Sequence, residues 1–502
     1  MHNSAIGNKF CIATPHYKSS MLGILGYLSS RNAAFSILKS EMSLTYNLPH
    51  LCGLGGDSII LEKYNGKFRS YNGTGKTGAY QNYDSYKSKG LTKIPRCGVY
   101  STMVYGCPDA YDKFSKINNI DVHNLLFGMI MDDIEYGIIR LPSLIKSFIN
   151  AKNEINSTTR FSDWSKFFSE NCDPGELYKN TLRMISKDGF SSLYSGDLGG
   201  IIYSEINSAD SNLYSEKDFL EFTPNHSETK RINFLNSKIT VHGANSPWRE
   251  FFILLKIYEC FSIDGFAPDP ESICTAAGMI DQTISSIDTS SENYAEIIFN
   301  KARHIYDEIK FSKICPIAQT NRQSHTVFIA CAESSGHLIG ITNSIFTPLG
   351  SLFEIAGTGI ILSNRGFSFN EINSEYRFKS KESVKHTNNC VIVETDDIEF
   401  IIGTSGGSVQ SQTLAFVINK IIAQNISPHQ AVYHPRYANM GVHPKTNNLT
   451  YLNESTCTSD IFINTNDLSD KLGVVQLAGI NKKTNEIFSV ADPRGNGAAI
   501  GL

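Results

Sequence analysis

The sequence predicts an α+β protein in which layers of sheet are covered by helices. Strand-like runs stand near the front of the chain, SIILEKY (58–64) and KFRSY (67–71), and again in its last third, TVFIACAE (326–333), HLIGITNSIF (337–346), CVIVE (390–394) and IEFIIG (398–403). The long middle, roughly residues 110–320, reads as mostly helical. With 502 residues, 41% apolar and 19% charged, the chain carries enough apolar surface for a large core. Sheets with an apolar face and helices with an apolar stripe hide both by packing as layers.

Taken in order, the first element is a helix near 31–47, where Ala34, Leu38 and Met42 recur at helical spacing. PHLCGLGGD follows, and then two β-prone runs joined by Asn65-Gly66. Both residues accept the positive φ of a type I′ turn, so this is a hairpin. The middle holds LLFGMIMDDIEYGIIRLPSLIKSFINA and NYAEIIFNKARHIYDEI, helical in pattern but without a spacing that reads as chemistry. Its tryptophans, Trp164 and Trp248, are expected to pack in the core. In the last third, IEFIIG runs into TSGGSVQSQ and a helix whose apolar face is Leu414, Val417, Ile418, Ile421 and Ile422. No internal repeat or low-complexity segment is present.

Composition removes several classes of function. The formal net charge is -4, so no global field recruits nucleic acid or an anionic membrane. Eleven cysteines are scattered with no C-x-x-C pair, which points to reduced thiols rather than a disulfide framework or zinc ribbon. The start, MHNSAIGNKFCIATPHYKSS, lacks the basic and apolar regions of a signal peptide, and MLGILGYL is too short to span a bilayer. A cytoplasmic protein is expected. His325, His337, His386, His429, His434 and His443 show no metal-site spacing, and neither H-E-x-x-H nor G-x-S-x-G occurs, so no metal and no cofactor are expected.

Two glycine-rich loops, GLGGD (53–57) and TSGGS (404–408), fit neither a P-loop nor a dinucleotide fingerprint. Each reads as a tight turn. Gly406-Gly407, however, lie between a buried strand and a helix start, where unpaired backbone N–H groups point outward. Such groups can hold an oxyanion.

In SHTVFIACAE, a threonine, Thr326, stands at the mouth of a buried strand. Threonine suits strands, but its company is informative. ATPHYKSS, the helix, LPHLCGLGGDSIILEKYNGKFRSYNGTGKTGA, then SHTVFIACAESSGHLIGITNSIFTPLGS, GTGIILSNRGFSF and IIGTSGGSVQSQTLAFVINKIIAQNISPHQAVYHPRY resemble, in order, the gamma-glutamyltransferase superfamily. These are N-terminal-nucleophile hydrolases that cut themselves before a threonine. The resemblance implies a four-layer αββα sandwich of the N-terminal-nucleophile hydrolase type, with two stacked, mainly antiparallel sheets covered by helices. It implies self-cleavage between His325 and Thr326, giving a large fragment 1–325 and a small fragment 326–502, intertwined in one domain. The product would be a heterodimer of the chain's own two fragments, or a higher homo-oligomer built from it.

The implied mechanism is concrete. Thr326 Oγ attacks the His325 carbonyl, and water opens the resulting ester. The freed α-amino group, whose ordinary pKa is about 7.7–8, becomes the base for its own hydroxyl. Gly406 and Gly407 supply oxyanion donors, and Ser344 matches a hydroxyl that orients the nucleophile. Glu333 takes the acidic place seven residues after the threonine and is expected to be structural.

Departures from the family pattern bear on the substrate. Where true gamma-glutamyl enzymes carry an acidic residue after the N-Q/R segment, this chain has Ser368. Where they carry an asparagine it has Phe346, and where they carry a serine pair it has His386 and Thr387. Their early arginine has no clear counterpart. NRG, containing Asn364 and Arg365, looks closer to the amidohydrolase branch, which includes oxamate-type amidases and other acylases. An arginine fork suits a carboxylate, so Arg365 and His386 are expected to meet an anionic acyl group. The expected activity is a self-processing N-terminal threonine amidohydrolase or acyltransferase acting on a small-molecule amide or peptide, gamma-glutamyl-like or otherwise carboxylate-bearing. The alternatives are a true gamma-glutamyltransferase or glutathione hydrolase, and an inactive relative that serves as a binding protein.

Overall fold

Alternation along a single strand sets the architecture. In the strand His325–Glu333, Phe328, Ala330 and Ala332 belong to one apolar cluster while Val327, Ile329 and Cys331 belong to another. Successive side chains point to opposite faces, so a strand apolar at every position must be covered on both sides. The computed structural model, which describes residues 3–158, 160–169, 174–284, 293–311, 317, 325–371, 378–383, 385–442, 449–455, 461–465 and 467–502, shows what covers it.

One sheet of six strands runs β18 (Ala498–Gly501), β2 (Phe10–Thr14), β7 (His325–Glu333), β8 (Leu338–Phe346), β3 (Asp57–Tyr64), β4 (Lys67–Gly73). A sheet of seven runs β1 (Ser4–Gly7), β17 (Ile487–Ala491), β16 (Val475–Asn481), β12 (Ile398–Thr404), β11 (Cys390–Glu394), β6 (Ser237–His242), β5 (Thr229–Phe234). Every pairing in both is antiparallel. Two small sheets stand apart: β9 (Glu354–Ile355) with β10 (Ile360–Ile361), and β13 (Tyr437–Val442), β14 (Leu449–Asn453) and β15 (Phe462–Asn464). Both large sheets combine strands from either side of the 325/326 bond, so neither piece holds a complete sheet.

The two large sheets face each other. Cys11, Leu61, Phe328 and Leu338 from the first pack with Cys390, Ile392, Ile401 and Ala478 from the second. Glycine makes close approach possible here: a Cβ on Gly340 would lie 2.7 Å from the Phe328 ring and 2.8 Å from Cys390 Sγ. The outer face of the first sheet is covered by helices α1 (Tyr17–Ser30) and α2 (Ala33–Asn47), through Ile37, Leu38 and Met42. The outer face of the second is covered by the helices Trp248–Ile263, Pro270–Thr283, Tyr294–Phe311 and Gln410–Ile422. The order is helix, sheet, sheet, helix: the four-layer αββα sandwich expected.

Local expectations are met where the signals are local. The Asn65-Gly66 turn has φ of 50° and 70°, as a type I′ hairpin requires. Asn32 caps α2, its side chain accepting from the N–H groups of Ala34 (2.8 Å) and Phe35 (3.1 Å). Trp164 and Trp248 are both buried. The middle is not wholly helical: the hairpin β5–β6 adds two strands to one end of the second sheet. Its RINF and KITVH segments are short, and the pairing with β11 that justifies them is remote in sequence. Among the described residues no helix is long and apolar enough to cross a membrane.

Candidate active site

At one end of the sandwich, three neighbouring strands of the first sheet bring Thr326 (β7), Ser344 (β8) and Asp57 (β3) into a row. Asp57 is the register partner of Ser344, and β7 meets β8 through an irregularity between His325 and Val327. Thr326 shares the parity of Phe328 and Ala330, which face the second sheet. Its hydroxyl donates to Asn388 Oδ1 at 3.2 Å, and the residue is only 2% exposed. Ser344 Oγ donates to the carbonyl oxygen of His325 at 2.7 Å and accepts from the Phe346 N–H at 3.0 Å. The second bond consumes a lone pair and leaves the hydroxyl hydrogen aimed at the His325 carbonyl.

The GLGGD loop is built around this row. A Cβ on Gly56 would fall 2.5 Å from the Ser344 carbonyl oxygen, so close backbone approach demands glycine there. Asp57 then accepts from the Gly75 N–H at 2.8 Å and from Arg365 Nε at 2.7 Å. Arg365 is 1% exposed, and both terminal nitrogens, Nη1 and Nη2, lack a hydrogen-bond partner. Its guanidinium lies over the Phe346 ring, 4.4 Å from the centroid. Phe346 has φ +77°, a strained conformation for a bulky residue.

The facing wall comes from the approach to β11. His386 and Thr387 are buried, and Asn388 and Asn389 follow. The Asn389 N–H donates to Gln410 Oε1 at 3.1 Å, tying this segment to the helix that begins after Gly406-Gly407. Gly406 has φ +117°, and a Cβ there would lie 2.7 Å from Val409 Cγ2, so only glycine fits. Among the described residues, neither Gly406 nor Gly407 donates its N–H to a backbone carbonyl. Thr387, Gly407 and Ser408 line one pocket with Glu250, Leu254 and Asp281.

Burial controls the electrostatics. It pushes the His386 imidazole well below its usual pKa, with His242 and Arg365 adding to the effect, and pushes His242 down to about 4. The two rings stack, centroids 6.1 Å apart. Neither ring nitrogen of His386 makes a hydrogen bond of ordinary length. The unpaired groups of this wall are mostly donors: Arg365 Nη1 and Nη2, Asn388 Nδ2, Asn389 Nδ2 and Gln410 Nε2. A buried donor without an acceptor is costly, so a donor-rich wall favours an acceptor-rich ligand. Among the described residues no group of three His, Cys, Asp or Glu could hold a metal ion, and His443 lies outside them.

The gamma-glutamyltranspeptidase family profile matches residues 40–502. The chain belongs to this family. It is a hydrolase or acyltransferase of the gamma-glutamyltransferase superfamily, with an αββα core of the N-terminal-nucleophile hydrolase type. The glutathione hydrolase-like YwrD proenzyme of Bacillus subtilis is 24% identical, over all of both chains. The oxamate amidohydrolase proenzyme of Klebsiella pneumoniae is 21% identical, over 87% of this chain and 86% of that one. Cephalosporin acylase from Bacillus halodurans shares the fold, with a TM-score of 0.83 at 20% identity, over 100% of this chain and 97% of that one.

Within this gamma-glutamyltranspeptidase-family fold, the residues singled out by sequence take different places. Thr326, Ser344 and His325 meet at the mouth of β7, and Arg365, Phe346 and His386 form one wall. Asn364 is committed to internal bonds: its amide donates to the Arg96 carbonyl (3.0 Å) and Thr347 Oγ1 (2.7 Å) and accepts from the Thr347 N–H (3.1 Å). Ser368 Oγ donates to the Arg365 carbonyl at 2.6 Å, closing its own turn. Three residues escaped sequence reasoning. Asp57 was visible as the acidic end of GLGGD, and Asn388 as the first of an Asn pair after His-Thr. His242 gave no signal, because it comes from the unrecognised hairpin.

Proposed function

We propose that the chain is a self-processing N-terminal threonine amidohydrolase that takes amides with a carboxylate on the acyl side. The observation that carries this reading is the Ser344 hydroxyl at 2.7 Å from the His325 carbonyl oxygen, one residue before a threonine whose hydroxyl is held by Asn388. Charge that develops on the His325 oxygen would be met by a donor already in place.

In processing, Thr326 Oγ adds to the His325 carbonyl carbon, the C–N bond breaks, and the hydroxyl proton passes to the leaving nitrogen. Water then hydrolyses the ester, releasing a His325 carboxylate and a free Thr326 amino group. That amine serves as base for its own hydroxyl in turnover. The hydroxyl attacks the substrate amide, the leaving amine takes the proton, and water resolves the acyl-threonine ester. The N–H groups of Gly406 and Gly407 are suited to hold the substrate oxyanion, a contribution of about 3–4 kcal/mol per donor. Because each sheet is built from strands of both fragments, residues 1–325 and 326–502 stay together as a heterodimer.

The unpaired donors around Arg365 support a carboxylate-bearing acyl group. The Klebsiella pneumoniae relative is named for oxamate, which is such a carboxylate. A glutathione hydrolase in the strict sense is the second reading, favoured by the name of the Bacillus subtilis relative. Brisk turnover of gamma-glutamyl-p-nitroanilide would select it. A reducing, cytoplasmic setting is supported by the scattered cysteines, which form no disulfide among the described residues; Cys172, Cys315 and Cys457 lie outside them.

Intact-mass measurement and N-terminal sequencing test the proposal. Two fragments are expected, the smaller beginning TVFIAC, while Thr326→Ala stays one chain without activity. A wild-type protein that remains uncut at neutral pH would overturn it.

A further inference from the structure

Arg365 cannot neutralise a bound carboxylate alone, because its charge is already matched. Asp57 lies 2.7 Å from Arg365 Nε, and both side chains are almost fully buried. The pair is net neutral, yet both terminal guanidinium nitrogens still lack acceptors. A carboxylate entering here would be a buried, uncompensated charge, and the cost of that is large. Something beside Arg365 must supply a positive charge.

On this wall the groups able to do so are two imidazoles; the Thr326 amino group that processing frees stands apart from them, at the mouth of β7. Neither ring nitrogen of His386 makes a hydrogen bond of ordinary length, the Asn388 backbone being its more distant polar neighbour; His242 Nε2 likewise has only the Ala244 backbone at longer range, while Nδ1 is bonded to Ser70 Oγ. The rings stack at 6.1 Å with 19° between their planes. His242 ends β6 in the second sheet and Ser70 lies on β4 in the first, so the His242–Ser70 bond links the two sheets at the site. We propose that His242 and His386 form a proton-gated anion site with Arg365, taking up one proton from solvent when the carboxylate of the acyl group docks. The inference rests on the acyl-carboxylate reading above.

One proton is the natural number. Two stacked imidazoliums would repel, so the pair titrates as a unit and shares a single charge. The free site keeps both rings neutral, since burial disfavours the cation. A docked carboxylate reverses that preference by pairing with the cation. The charged and titratable groups facing His386 are His242 from β6 and Arg365 from the turn after β10, the latter held by Asp57 from β3. Glu250 and Asp281, on the helices Trp248–Ile263 and Pro270–Thr283, line the pocket on the side of Thr387. Binding raises the pKa of the pair, so the linked affinity is complete below the free-state pKa and fades as pH rises through the bound-state pKa. Between those limits affinity falls about tenfold per pH unit.

The test is calorimetric titration of the processed protein with pyruvate and with butyrate, each a monocarboxylate that holds no amide to cleave, in buffers of different ionisation enthalpy. The expected result is uptake of about one proton per bound carboxylate near pH 7, with affinity falling up to about tenfold per pH unit above it. His386→Gln should bind more weakly and without proton uptake, and His242→Asn should cut the uptake and flatten the pH dependence. Wild-type binding with no proton uptake would overturn this inference and leave the acyl-carboxylate reading standing. Failure of both carboxylates to bind would overturn the two together. Uptake undiminished in both variants would place the proton on the freed Thr326 amino group and would overturn the inference as well.

Discussion

The two walls of the site are built on opposite principles. At the mouth of β7 every hydroxyl is engaged: Thr326 with Asn388, Ser344 with both the His325 carbonyl and the Phe346 N–H. Around Arg365 and His386 buried polar groups are left open, two guanidinium nitrogens and both imidazole nitrogens among them. A satisfied buried group is positioned by the fold, whereas an unsatisfied one stores a cost that a ligand can relieve. The first wall therefore suits chemistry on the chain itself, and the second suits a molecule that comes and goes.

That contrast can be broken in three places. Removing the preset donor should have the largest effect: Ser344→Ala is expected to slow chain cleavage roughly 10²- to 10³-fold, read as the time course of the two fragments by mass. Cleavage at the wild-type rate would mean that the hydroxyl on His325 is a packing contact. On the open wall, Arg365→Lys keeps a charge for Asp57 but loses the planar fork. The Michaelis constant for a carboxylate-bearing amide should rise roughly tenfold to a hundredfold, while chain cleavage stays normal. A variant that also stops processing would show that the walls are not separable. The smallest effect belongs to Ser368→Ala, because its hydroxyl closes the turn carrying Arg365 rather than facing a ligand. Steady-state activity should change less than roughly twofold, and a larger loss would move Ser368 into the binding wall.

The same contrast explains what was legible beforehand. The strands, the Asn-Gly hairpin, the capped helix α2 and the helix after Gly407 all carry local periodic or turn signals. Thr326, Ser344 and the glycine pair stood out because their order along the chain resembles a known family. Asn364 and Ser368, both singled out in the sequence, have their polar groups committed within the chain, Asn364 to Arg96 and Thr347 and Ser368 to the Arg365 carbonyl, which spacing cannot reveal. His242 was invisible for a further reason. Its strand is short, lies in a stretch that otherwise reads as helical, and takes its place only by pairing with β11 across about 150 intervening residues.

By itself the sequence determined the layers, since strands apolar on both faces demand cover on both sides and amphipathic helices provide it. It also determined which backbone positions must be glycine and which threonine begins a buried strand. Only the tertiary structure decided the charge of the site. Asp57 meets Arg365 across 308 positions of chain, and His242 at the end of β6 meets His386 on the approach to the neighbouring strand β11. Burial, partner choice and unpaired nitrogens belong to the three-dimensional arrangement of groups, and no local pattern encodes them.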